Sequence, residues 1–186
     1  YFQLAYEYKS PRMNQPKMAA AIYEHLINIS VSVEDKAKAN LRMCETFNAA
    51  DKVDFALAEP YCREAINIKP DYGSAYRELG RMRYKRRNYE GAIEAFQTCV
   101  ALGATDIECW GLRGLAHYWM GQCDLAWEVL NEAAIRARQQ GEGQGTIDDI
   151  DTGLYNVTQK CDGYRNIHTP TAVLPTAIPP TPIGGL

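Results

Sequence analysis

What the chain lacks narrows its chemistry before any pattern is traced. Serine is scarce, the three histidines (His25, His117, His168) are dispersed, and neither a G-x-S-x-G elbow nor a P-loop occurs. The glycine run 141–145 has no preceding strand, which a dinucleotide fingerprint requires. The expectation is a protein that is not an enzyme and uses no cofactor. No C-x-x-C occurs and no Cys and His cluster has ligand spacing, so a metal site is poorly supported. No apolar run approaches the ~18 residues needed for a helix to cross a bilayer. A net charge of -3 over 186 residues gives no global attraction to nucleic acid or an anionic membrane. With 46% apolar and 23% charged side chains, the chain is neither disordered nor collagen-like and can bury one or two ordinary cores. It opens on Tyr1 and not Met, so an upstream extension or trimming is expected, and any signal peptide or anchor would lie there.

Three features are present in excess: six Cys, twelve Tyr and nine Pro, most of the Pro near the C-terminus. An internal period organises the first two. Tyr76 matches Trp110, Gly80 matches Gly114, Tyr84 matches Tyr118, Ala92 matches Ala126, Phe96 matches Leu130 and Cys99 matches Ala133, all 34 residues apart. A weaker copy upstream keeps Phe55, Ala58, Cys62, Ala65 and Pro70 at the same spacing. Within each unit, apolar and small residues recur at helical spacing, Tyr76, Leu79, Gly80 and Tyr84 and then Tyr89, Ala92, Ile93 and Phe96, around the polar turn 85–88. The spacing predicts two amphipathic helices per unit. Gly80, Gly114, Ala92 and Ala126 would let the pair approach closely.

The pattern resembles the tetratricopeptide repeat family: Tyr76, Leu79-Gly80, Ala92 and Phe96, then Trp110, Gly114, Ala126 and Leu130, stand where that family carries Trp, Leu-Gly, Ala and Phe. The resemblance covers roughly residues 1–138 and is good in two units. Arg113 replaces the usual Leu, Arg83 and His117 fall where an aromatic is usual, and the closing Pro is present only as Pro70. The resemblance implies an all-α, right-handed α-solenoid of three to four helical hairpins whose concave surface binds peptides or protein segments. It implies no chemistry. Residues 1–162 would form this solenoid, with a capping helix at about 146–161 started by Thr146 as N-cap and carrying Asp148, Asp149 and Asp151 outward.

Two residues level with each other on an antiparallel hairpin lie equally far from its turn. Cys44 and Cys62 are centred on Val53, Cys99 and Cys109 on Ala104, and Cys123 and Cys161 on Glu142, each inside an expected turn. All six cysteines thus fall into three level pairs. Level placement is necessary for a disulfide and not sufficient, and small buried thiols are the other reading. Bridges persist outside the cytosol, which points to an exported, extracytoplasmic protein. Asn28-Ile29-Ser30 and Asn156-Val157-Thr158 match the glycosylation pattern but carry little weight, since about one match is expected by chance.

From residue 163 the chain is expected to be an extended arm. Thr169 begins a Pro- and Thr-rich stretch that blocks helix and favours polyproline-like backbone. A solvated stalk, with glycans on Thr, is the plain reading. Val173, Leu174, Pro175, Ile178, Pro179, Pro180 and Ile183 are unusually apolar for a stalk and suit docking. The candidate receptor is a concave groove whose facing residues are Arg77, Arg81, Tyr84, Lys85, Leu115, Tyr118 and Trp119, although Tyr84, Tyr118 and Trp119 could equally serve packing between repeats. Aromatic faces pack on proline rings, and Arg or Lys donates to unpaired carbonyls. The basic stretch 81–87 reads as a solvated face. Two functions follow as expectations. The first is a scaffold for protein partners, chiefly copies of itself, whose tail docks on a neighbour to give rings or extracellular filaments. The second is a tethered adaptor that captures another protein's segment and uses the tail as a spacer.

Overall fold

The computed structural model describes residues 1–10, 13, 15–29, 32–49, 54–103 and 105–161. Among the described residues the chain forms nine α-helices and no strand: α1 (Phe2–Lys9), α2 (Pro16–Ile29), α3 (Val33–Asn48), α4 (Phe55–Ile68), α5 (Gly73–Lys85), α6 (Tyr89–Ala101), α7 (Ile107–Trp119), α8 (Cys123–Gln140) and α9 (Gln144–Lys160). The expected tail, including Val173, Leu174, Pro175, Ile178, Pro179, Pro180 and Ile183, lies outside the described residues.

Local chemistry sets several helix starts. The side chains of Ser32, Asp54, Asn88 and Asp106 each accept a hydrogen bond from a backbone N–H in the first turn of α3, α4, α6 and α7. Pro16 opens α2, where its missing N–H has no intrahelical partner to lose. The expected cap at Thr146 is corrected. Gly141 ends α8 in the left-handed region at φ 70°, and Glu142 N–H returns to Ala137 O at 2.9 Å. That tight reversal needs only Glu142 and Gly143 before the next turn, so α9 starts at Gln144 with Gly143 as its uncapped N-cap. Asp151 is corrected too: it faces α8, where Arg138 Nη2 donates to both of its oxygens at 2.6 and 2.9 Å.

Helices pair as α1/α2, α3/α4, α5/α6 and α7/α8, each pair packing on the next, and α9 closes α8. The interfaces are rich in small residues: Ala58, Ala65, Ala92, Ala126, Ala133 and Ala137 are all fully buried. Close approach is most demanding at the two repeat glycines. A Cβ at Gly80 would meet Phe96 Cε1 at 2.5 Å, and one at Gly114 would meet Leu130 Cγ at 2.6 Å and the Leu130 backbone N at 3.1 Å. Gly114→Ala is therefore expected to destabilise the fold by about 1–3 kcal/mol through overpacking. In an uncrowded helix the same change would stabilise by about 1 kcal/mol, so the sign of the shift in a urea melt decides the point.

The residues that depart from the repeat pattern are bonded rather than idle. Arg113 lays its guanidinium over Trp110 with its carbon 4.7 Å from the ring centroid, and Arg136 approaches the same ring at 4.4 Å. Arg83 Nη1 donates to Gly91 O at 2.8 Å, and His117 Nδ1 lies 2.6 Å from Gln122 Oε1. Arg87 sits at φ 60°, where Gly121 sits at φ 71° one repeat later, so an arginine holds a backbone position that suits glycine.

Each level cysteine pair stands at bonding distance, with Cα–Cα separations of 5.2 Å for Cys44–Cys62, 6.4 Å for Cys99–Cys109 and 6.0 Å for Cys123–Cys161. Cys44, Cys62, Cys99 and Cys109 are fully buried, whereas Cys123 is half-buried at the first residue of α8.

Candidate functional site

The first helices of consecutive hairpins touch one another, α3 with α5, α5 with α7, and α7 with α9. Elements that meet on one side curve a stack toward that side, so these helices line its concave face. On α5 the facing stripe is Arg77, Arg81 and Lys85. One repeat later the same stripe on α7 is Gly111, Leu115 and Trp119.

The cations of the first stripe already have partners inside the chain. Arg77 donates to Glu78 Oε1 at 3.0 Å and to Asp106, the cap of α7, and stands 3.8 Å from Glu45 on α3. Arg81 Nη1 donates to Glu78 Oε1 at 3.1 Å, and its Nε lies 2.9 Å from Glu108 Oε1. Lys85 Nζ donates to the Asn48 carbonyl at 2.6 Å. Glu78, only 1% exposed, is the centre of this network. Burial alone would draw Arg77 down, but the Asp106 hydrogen bond and the Glu78 charge outweigh it and raise its pKa. Burial raises Glu108, with Arg81 opposing. Lys85 is lowered by desolvation and by Arg81 nearby. The basic stretch 81–87 is thus more than a solvated face: Arg81, Arg83, Lys85 and Arg86 all bond within the chain, Arg86 to Glu59 at 3.1 Å.

Beyond that network the concave face opens. A groove of about 360 Å³ runs between α7 and α9. Ile107, Leu112, Leu115, Leu130 and Ile150 give it an apolar floor, and Asp106, Glu108, Glu142 and Asp149 an acidic rim. A Cβ at Gly111 would stand 3.5 Å from Ile150 Cγ1, in ordinary van der Waals contact, so a longer side chain there would narrow the channel. Thr146, expected as a cap, lines this groove instead.

The aromatic candidates divide. Tyr118 packs in the core of the last hairpin at 9% exposure, and its hydroxyl is buried without a hydrogen-bond partner among the described residues. Trp119 is 53% exposed. Its ring stacks on Tyr89 with centroids 6.2 Å apart and meets Tyr118 edge-on at 5.2 Å, and its indole N–H donates to the Tyr84 hydroxyl at 2.9 Å. Lys160 Nζ stands 5.8 Å over the same ring. Burial raises Tyr84, with the bond from Trp119 opposing. Tyr84 and Trp119 therefore meet across α5 and α7 and Leu115 lines the α7/α9 groove, while Arg77, Arg81 and Lys85 serve the neighbouring network. Sequence reasoning missed Gly111, Ile150, Tyr89 and Lys160. Gly111 carried a usable signal, since it stands one repeat after Arg77.

Among the described residues no group of three or more His, Cys, Asp or Glu could hold a metal ion, and no helix is long and apolar enough to cross a membrane. No family model and no curated protein matches the chain. It is similar to a solved structure described as MamA RS-1 ArsTM double mutant, with a TM-score of 0.61 at 14% identity, over 86% of this chain and 93% of that one. At this identity the likeness shows the fold, an all-helical stack of tetratricopeptide-like hairpins.

Proposed function

We propose that the chain is a non-enzymatic, right-handed tetratricopeptide-like scaffold that works outside the cytoplasm and self-associates through its tail. The groove between α7 and α9 carries the reading: about 360 Å³ of channel with an apolar floor suits an extended apolar segment better than a polar one. The tail supplies such a segment in Val173, Leu174, Pro175, Ile178 and Ile183. Its eighteen Thr- and Pro-rich residues reach roughly 55 Å at ~3.1 Å each, which is enough to find a second copy. A tail from one subunit seated on the next is a heterologous contact, and such contacts close into rings or run on as filaments. Three cysteine pairs at bonding distance favour an oxidising, extracytoplasmic setting.

Light scattering and electron microscopy of the full chain test this. Assemblies are expected, and deleting residues 169–186 or placing Leu115→Arg in the groove floor should reduce them to monomers. Monodisperse monomers of the full chain would overturn the proposal. Assembly untouched by the deletion would instead favour the adaptor, with the tail as spacer.

A further inference from the structure

Trp119 is both exposed and fixed. Tyr89 stacks beneath it, Tyr118 meets its edge, the Tyr84 hydroxyl holds its N–H and Lys160 covers it, all within the distances given above. The half of the indole that stays exposed has its only donor spent, and offers apolar ring surface that suits apolar and proline side chains. Because the ring is already ordered, a partner that lands on it loses little further entropy. Tyr118, nine-tenths buried in the core of the last hairpin, backs the ring from within.

The described chain ends beside this platform. Lys160 lies over Trp119, and the next residue, Cys161, is tied to Cys123, four positions after Trp119. The sequence that follows carries Tyr164, Ile167 and Pro170. Three residues span at most about 10 Å, so Tyr164 leaves the bridge within reach of the indole.

We infer that residues 164–170 pack in cis on the Trp119–Tyr89 platform, anchoring the root of the arm so that only its distal part reaches a second copy. The inference deepens the proposed tail-mediated association and rests on it for the role of the distal part. A segment tethered this close acts at an effective concentration of about millimolar, which a second copy's tail at micromolar concentration does not match. The platform and the α7/α9 groove therefore take different stretches of tail, the first from the same chain and the second from a neighbour.

The test uses the full chain with its tryptophans labelled with nitrogen-15, the Trp119 indole signal being identified by Trp119→Phe. Changing Tyr164, Ile167 and Pro170 together to Ser keeps the chain length and alters none of the described residues. The Trp119 signal is expected to shift and its N–H to exchange faster, with Trp110 and Trp127 unmoved and the shift the same on dilution. An unmoved Trp119 signal overturns the inference. So does a shift that fades on dilution, which would place a second copy's tail on the platform. Light scattering on the same samples reads assembly separately, so an unaltered full chain that stays monomeric while the variant shows the Trp119 shift would fault the self-association proposal and not this one.

Discussion

Full reduction of the three cysteine pairs is expected to bring the folded chain to the edge of unfolding at room temperature. The bridges close separations of 18, 10 and 38 residues. As constraints on the unfolded chain they are worth about 3, 3 and 4 kcal/mol, so about 10 kcal/mol together. An ordinary domain has only about 5–15 kcal/mol of net stability. The cores give a reason for such dependence. They are a row of small clusters along the stack, rich in alanine, and three of these contain a bridged cysteine: Cys44 and Cys62 with Leu79 and Met82, Cys99 and Cys109 with Phe96, and Cys161 with Leu130 and Leu154. A stack in which each unit leans only on its neighbours gains little from distant contacts. Thermal melts with and without a phosphine reductant should differ by tens of degrees, and superimposed melts would show that the bridges constrain nothing. Intact mass confirms the state, since each opened bridge adds two hydrogens. Partial reduction should open Cys123–Cys161 first, because Cys123 is half-buried and the four cysteines of the other pairs are sealed.

The sequence was most legible where a steric demand recurs. Gly80 and Gly114 mark the same close approach to Phe96 and Leu130, so the period announced the hairpins before any helix was seen. Cysteine pairing was legible for a similar reason: residues equidistant from a turn must lie level on antiparallel helices. Helix ends were less so. Thr146 looked like a cap because it precedes two aspartates, but Gly141 had already turned the chain. Burial of charge was invisible locally. Glu78 reads as a surface residue on a helix flanked by Arg77 and Arg81, yet Asn48, thirty positions upstream, donates to it at 3.1 Å and closes it from water. The groove was hidden for the same reason, since its rim joins Glu108 on α7 to Asp149 on α9.

Glu78→Ala is accordingly expected to cost about 3–5 kcal/mol, the range for breaking a buried ion pair on one side. Three groups each lose an acceptor at once: Arg77, Arg81 and the Asn48 amide. Arg77 retains Asp106, but Arg81 is left with Glu108 alone, whose own ionisation burial already disfavours. Glu78→Gln separates charge from shape. It keeps an oxygen acceptor and should recover only part of the loss, because its amide group would face cations. Glu132→Ala provides the contrast, as its pair with Arg136 is about 40% exposed on both sides and should be worth under about 1 kcal/mol. Urea melts of the three variants check the order, and a Glu78 variant as stable as the Glu132 variant would refute it. The consequence reaches beyond stability. Glu78 gathers Arg77 and Arg81, which bind Glu45 on α3 and Asp106 and Glu108 at the start of α7. It therefore sets how closely the first helices meet, and with them the curvature of the face that holds the groove. A variant that stays folded at low temperature should for that reason associate more weakly, although Glu78 touches no residue of the groove floor.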